Sequence, residues 1–183
     1  MNGCFIITGT PGAGKTTVSR LVAERLERSA RIDGDVMAQL MVNGRANNLD
    51  EHGNWNPGPE GKRQLQLRMI NACSVANNFS EAGFTPVIDT VVEVREELEF
   101  LVNRLTARPV MLVVLAPPLQ VAQYRNATRP ERQRVSYDFS HTAANMRREI
   151  GGDGWWLDSG DLTPDETADL IVAEAAKRAV VDV

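Results

Sequence analysis

The sequence predicts a three-layer α/β/α sandwich built on a five-stranded parallel sheet. Two observations carry this. Short apolar runs alternate along the whole chain with longer segments of helical period. In addition, a glycine-rich loop joins the first apolar run to the first helix, a connection that parallel sheets place at their carboxyl edge.

The elements follow in order. CFIIT (4–8) reads as the first strand, and from Lys15 onward Val18, Leu21, Val22 and Leu26 recur at helical spacing. SARID (29–33) is the second strand, with a helix expected over 36–42. The Asn-, Gly- and Pro-rich stretch 43–61 reads as loop. A long helix over 62–81 then carries Leu65, Met69, Cys73 and Ala76 on one face, with Gly83 as its stop. TPVID (85–89) is the third strand. PVMLVVLA (109–116) is the most apolar run and is expected at the centre of the sheet, and WWLDS (155–159) is the last strand. Thr163, Pro164 and Glu166 spell a capping box that opens the final helix.

At 183 residues, with no repeat, low-complexity tract or linker, the chain reads as one domain over 1–183. A net charge of −4 gives no general attraction to polyanions, which argues against a nucleic-acid partner. No apolar run approaches the roughly 20 residues of a membrane span. The first strand begins too early to leave room for a cleaved leader, so the expected location is the cytoplasm, with no membrane partner. Cys4 and Cys73 lie in apolar segments and read as buried, reduced thiols. His52 and His141 stand far apart with no cysteine beside them, so no zinc site is expected. No long exposed apolar stripe marks a subunit interface.

GTPGAGKTT, from Gly9 to Thr17, is the strongest chemical signal. Gly9, Gly14, Lys15 and Thr16 match G-x-x-x-x-G-K-[ST] between a strand and a helix. Thr10, Pro11, Gly12, Ala13 and Thr17 complete the nucleotide-binding set. Backbone N–H groups turn inward around the β-phosphate, Lys15 serves the β- and γ-phosphates, and the Thr16 hydroxyl ligates Mg²⁺. The expected cofactors are ATP and Mg²⁺.

Three further groups follow. Asp89 ends the third strand, where a carboxylate either helps to hold Mg²⁺ or caps a turn. Asp33 and Asp35 flank Gly34, a spacing that lets one carboxylate cap the next helix while the other faces the phosphate site; Asp35 is the preferred base. Arg125, Arg129, Arg132 and Arg134 cluster in YRNATRPERQR, either as a phosphate-closing lid over about 125–138 or as a solvated face.

The chain resembles the P-loop kinases of the nucleoside-monophosphate-kinase-like group. GTPGAGKTT is similar to the phosphate loop of adenylate kinases. DGD after the second strand resembles adenylylsulfate and gluconate kinases, and the layout resembles chloramphenicol phosphotransferase and related antibiotic-modifying kinases. The resemblance implies that Asp35 acts on an acceptor hydroxyl. It also implies that Arg125 lies against adenine and that Arg129, four residues on, reaches phosphate. Monophosphate kinases carry arginines on the second helix and after the third strand. Here DTVVEV follows that strand, and Arg45 is the only arginine or lysine between Asp35 and Lys62, so the expected acceptor lacks a phosphate.

The segment 36–61 is the expected substrate side. It offers Met37, Leu40, Met41 and Trp55 as apolar walls and Arg45 among its polar contacts, with Asp33, Asp35 and Asp89 at its inner end. Transfer of the ATP γ-phosphate to a small-molecule hydroxyl, on an antibiotic or other natural product, is the leading expectation. A polynucleotide 5′-hydroxyl, sugar or nucleoside kinase is an alternative. A nucleotide-binding regulatory module is a third, from a different class.

Overall fold

The computed structural model describes residues 3–182. Five strands, β1 (Cys4–Gly9), β2 (Ser29–Asp33), β3 (Thr85–Asp89), β4 (Val110–Leu115) and β5 (Trp155–Leu157), form a parallel sheet in the order β2-β3-β1-β4-β5. The sequence reading is corrected twice here. A sixth strand, β6 (Val180–Val181), pairs antiparallel with Val110 and Met111 of β4, and at two residues it is too short to show a period. The middle of the parallel set is β1, with β4 beside it. β4 is the most apolar run because its faces and both its edges are covered, and hydrophobicity reports burial rather than rank in the sheet.

Helices α1 (Lys15–Arg25), α2 (Gly34–Gln39), α3 (Pro59–Glu81), α4 (Arg95–Arg104), α5 (Leu119–Ala127), α6 (Ser140–Ile150) and α7 (Pro164–Arg178) complete the fold. Alternation along β1 divides the core. Phe5 and Ile7 pack with Val18 and Val22 of α1 and with Ala168 and Ile171 of α7. Cys4 and Ile6 pack with Met69 and Cys73 of α3, Leu98 and Leu101 of α4, and Met146 and Ile150 of α6. The result is the three-layer α/β sandwich.

Helix boundaries differ from the sequence reading for local reasons. α2 stops at Gln39 instead of 42. α3 starts at Pro59 instead of 62, because proline suits the first turn, where its missing N–H is not needed. Gly83 follows the end of α3 with φ +80, the left-handed stop that the sequence implied. α4 and α6 are not among the elements read from the sequence. Both thiols are free and buried; burial pushes the Cys73 thiol up to about 11 and raises that of Cys4 as well.

The capping box of α7 forms in full: Thr163 Oγ1 accepts from Glu166 N at 3.2 Å, and Glu166 Oε2 accepts from Thr163 N at 2.8 Å. Thr163→Ala is expected to cost about 1 kcal/mol. Urea unfolding with an unchanged denaturant slope and a lowered midpoint would bear this out.

Candidate active site

β1 ends in a loop that two neighbours hold tightly. A Cβ on Gly9 would stand 2.5 Å from the Leu115 carbonyl oxygen, and one on Gly12 would stand 2.0 Å from that of Ala122 in α5. A Cβ on Gly14 would make only an ordinary contact, 3.9 Å from Val18 Cγ2, but φ is +102, a conformation that only glycine adopts freely. The loop therefore lies as backbone against β4 and α5. It delivers the chain to α1, whose N-terminus has no side-chain cap and no acid in its first turn. Those free N–H groups and the helix dipole favour an anion.

Lys15 curls back over this loop. Its Nζ donates to the carbonyls of Gly9 and Thr10 at 3.0 and 3.1 Å. Burial holds its pKa below the usual lysine value; Asp89 and Asp35 favour the charged form, and Arg129 and Arg68 oppose it. The ammonium is thus a partly desolvated cation at the mouth of the loop, with two carboxylates and two guanidiniums around it.

The pairing of β2 with β3 sets Asp33 directly beside Asp89. Arg31, two residues before Asp33 on the same strand face, resolves the clash of charges. Its Nη2 donates to Asp33 Oδ2 at 2.7 Å and to Asp89 Oδ2 at 2.8 Å, and its Nε donates to Ser19 Oγ at 2.8 Å. Asp33 spends its other oxygen on capping α2, accepting from Asp35 N at 2.8 Å and Val36 N at 3.3 Å. Asp35 is left over. Its side chain is 83% exposed and 3.7 Å from Arg68 Nη1. Asp89 is buried, and burial raises its pKa against the pull of Lys15 and Arg31. Its carboxylate and the exposed Thr16 hydroxyl are oxygen donors that fit a hard cation such as Mg²⁺.

The arginine cluster divides by position. Arg125 Nη2 donates to the carbonyls of Ser159 and Gly160, both at 3.2 Å, tying α5 to the turn after β5. Arg129 acts on Lys15. Arg134 Nε donates to the Arg129 carbonyl at 2.6 Å, and Arg132 is exposed in the 3₁₀ turn Glu131–Gln133. Buried Asn126 pins the returning chain, donating to the Val135 carbonyl at 2.9 Å and accepting from Val135 N at 3.0 Å.

On the opposite side, Met41 is half-buried, Arg45 is exposed on the loop, and Trp55 stacks at 5.3 Å on Tyr137 from the end of the arginine segment. Segments 36–61 and 125–138 therefore touch. The sequence reading named Arg45 in this segment; the structure brings Arg68 of α3 to Asp35 instead. The Arg68 Nε is buried without a hydrogen-bond partner. Arg68 lies four residues before buried Ala72, on the edge of the inward stripe of α3, and that position was the available signal. Arg31, Ser19, Tyr137 and Asn126 were also missed. Of these, Arg31 could have been read from strand alternation with Asp33.

The AAA domain family model matches residues 6–147. No curated protein matches the chain. Among solved structures, a sugar kinase from Janibacter sp. HTCC2649 is 16% identical with a TM-score of 0.67, covering 94% of each chain. The tunicamycin resistance protein of Deinococcus radiodurans is 18% identical with a TM-score of 0.66 over 100% of each chain. Shikimate kinase from Acinetobacter baumannii, in complex with shikimate, is 18% identical with a TM-score of 0.62, covering 97% of this chain and 96% of its own. These likenesses show a shared P-loop kinase fold.

The raised pKa of Asp89 has a thermodynamic sign. Its folded value lies above that of a free aspartate, about 3.9, so ionising it penalises the folded state. The stability of the wild type relative to Asp89→Asn should therefore fall as pH rises from about 3.9 through the folded value, then level off. Thermal melts of both proteins across that window test this, and a difference independent of pH would contradict it.

Proposed function

The chain belongs to the AAA domain family, and on that footing we propose that it transfers the γ-phosphate of ATP to a hydroxyl of a small molecule. In this reading the whole chain acts as one domain, with 36–61 as the acceptor side and 125–138 as the lid. The observation that carries the reading is the spare carboxylate beside Lys15. Asp33 is occupied by Arg31 and by the α2 cap, whereas Asp35 caps nothing and faces solvent within electrostatic reach of Lys15.

The chemistry then assigns a role to each group. The acceptor hydroxyl oxygen bonds to the γ-phosphorus as the bond to the β–γ bridging oxygen breaks; ADP leaves, and the hydroxyl proton passes to Asp35. The loop from Gly9 to Thr17 and the start of α1 hold the phosphates. Lys15 and Arg129 meet the charge that develops on the transferred group. Thr16 and Asp89 would hold Mg²⁺, which would supply positive charge to the phosphates. Arg125, fixed to the turn at Ser159, marks the adenine side.

Arg68, with its unpaired Nε, suits an acceptor that presents an oxygen beside the attacked hydroxyl. The likeness to a sugar kinase and to a tunicamycin resistance protein supports a hydroxylated sugar or natural product, antibiotics included. One observation favours a second reading. Asp89 is engaged by Arg31 and Ser19, which would serve a nucleotide-binding module with no transfer step equally well.

Turnover separates the two readings. Purified protein with ATP, Mg²⁺ and a panel of sugars, nucleosides and hydroxylated antibiotics is expected to add one phosphate to an acceptor, read by mass. Lys15→Ala should abolish that gain while leaving the apo melting temperature unchanged or raised, since a desolvated cation is removed. Asp35→Asn should lower kcat by roughly a hundredfold with ATP affinity unchanged by calorimetry. Normal turnover in Asp35→Asn would remove it as the base.

A further inference from the structure

The carboxylates that end β2 and β3 meet at one atom. Arg31 Nη2 lies 2.7 Å from Asp33 Oδ2 and 2.8 Å from Asp89 Oδ2. A point that close to two carboxylate oxygens is where a divalent cation would sit, at a somewhat shorter bonding distance of about 2.0–2.6 Å. A third oxygen stands beside it, since Ser19 Oγ is 3.4 Å from Asp89 Oδ2 and accepts from Arg31 Nε at 2.8 Å. The guanidinium therefore takes the place of a metal ion among these oxygens.

That place is shielded and its charges are already offset. The Asp89 side chain is 4% exposed, Asp33 18% and Arg31 23%, so salt screens the three charges weakly. Lys15 adds a second cation within electrostatic reach of Asp89, and with Arg31 it leaves no surplus negative charge on the two acids to draw a dication. Among the described residues no three Asp, Glu, His or Cys side chains gather as ligands for a metal ion. Mg²⁺ takes six oxygens and is commonly held by one or two carboxylates together with substrate phosphates. The hydrogen bonds that Asp89 accepts from Arg31 and Ser19 both fall on Oδ2. Its Oδ1 is left for a metal that arrives with phosphate oxygens of its own.

We propose that Arg31 is a positioning residue that keeps free divalent cations out of the Asp33–Asp89 pair, so that metal enters this site only with a nucleotide. The inference rests on the reading of Thr16 and Asp89 as the Mg²⁺ holders of an ATP-using enzyme. It gives the guanidinium a role beyond joining β2, β3 and α1. Without it, two adjacent carboxylates would compete with the nucleotide for the ion.

The test is Mn²⁺ binding to the nucleotide-free full chain, read from the electron paramagnetic resonance of the free ion, so no turnover is needed. Wild type is expected to bind Mn²⁺ no better than Asp33→Asn does. Arg31→Met removes the guanidinium, and it should bind one Mn²⁺ more tightly than wild type by roughly tenfold or more. Arg31→Lys, which keeps the positive charge, should stay at the wild-type affinity. Arg31→Met combined with Asp33→Asn, which lacks one of the two ligands, should return to it. An arginine with only a structural role would leave these affinities alike. Melting curves establish which variants fold. If Arg31→Met is unfolded without metal, Mn²⁺ should restore its cooperative transition, and a chain that stays unfolded overturns the proposal. Equal Mn²⁺ affinity in Arg31→Met and wild type, or nucleotide-free wild type holding Mn²⁺ through Asp33, overturns it too. If the affinities shift as expected while no acceptor gains a phosphate, the role of Arg31 stands and the transfer reading falls. A phosphorylated acceptor together with no Mn²⁺ gained by Arg31→Met sinks the inference and leaves transfer intact.

Discussion

A carboxylate buried at the end of an inner strand needs a cation, and the site is arranged around how Asp89 obtains one. Parallel pairing of β2 with β3 sets a second carboxylate, Asp33, alongside it. Two adjacent anions at a desolvated strand end would be costly if unpaired. Arg31 bridges both and reaches Ser19 on α1, so one guanidinium joins β2, β3 and α1. With Asp33 held in this way, its second oxygen caps α2, and the next acid in the chain, Asp35, faces solvent 3.7 Å from Arg68 Nη1 and within electrostatic reach of Lys15. Asp35 keeps a solvent-facing side chain because Asp33 takes the cap.

The phosphate loop depends on a different constraint, the absence of side chains where backbones meet. Gly9 and Gly12 let the loop lie against Leu115 and Ala122, which ties its position to β4 and α5. α5 also carries Arg125 and Asn126, one fastened to the turn after β5 and the other to Val135. The loop and the arginine segment therefore share a support, and a shift of α5 would move both. Trp55 on Tyr137 adds a contact between that segment and the opposite wall.

Much of this was legible along the chain. Strand edges at Ser29–Asp33 and Thr85–Asp89, the capping box at Thr163, the left-handed stop at Gly83 and the glycine loop are local features, each encoded within a few residues. That one of Asp33 and Asp35 would cap α2 was legible, and the geometry shows that it is Asp33. Arg68 and Tyr137 were not legible as site residues. Arg68 shows only as an arginine on the edge of the inward stripe of α3, with nothing to say which group it meets, and the distance of either residue along the chain from Lys15 carries no signal.

The sequence by itself determined the layered α/β architecture, the anion-binding loop and its lysine, because periodicity, turn chemistry and helix capping act over short range. Only the tertiary structure decided which charges meet. Strand register put Asp33 against Asp89, and helix packing carried Arg68 to Asp35. Those outcomes depend on packing between segments remote in sequence, and no local pattern reports the distance between them.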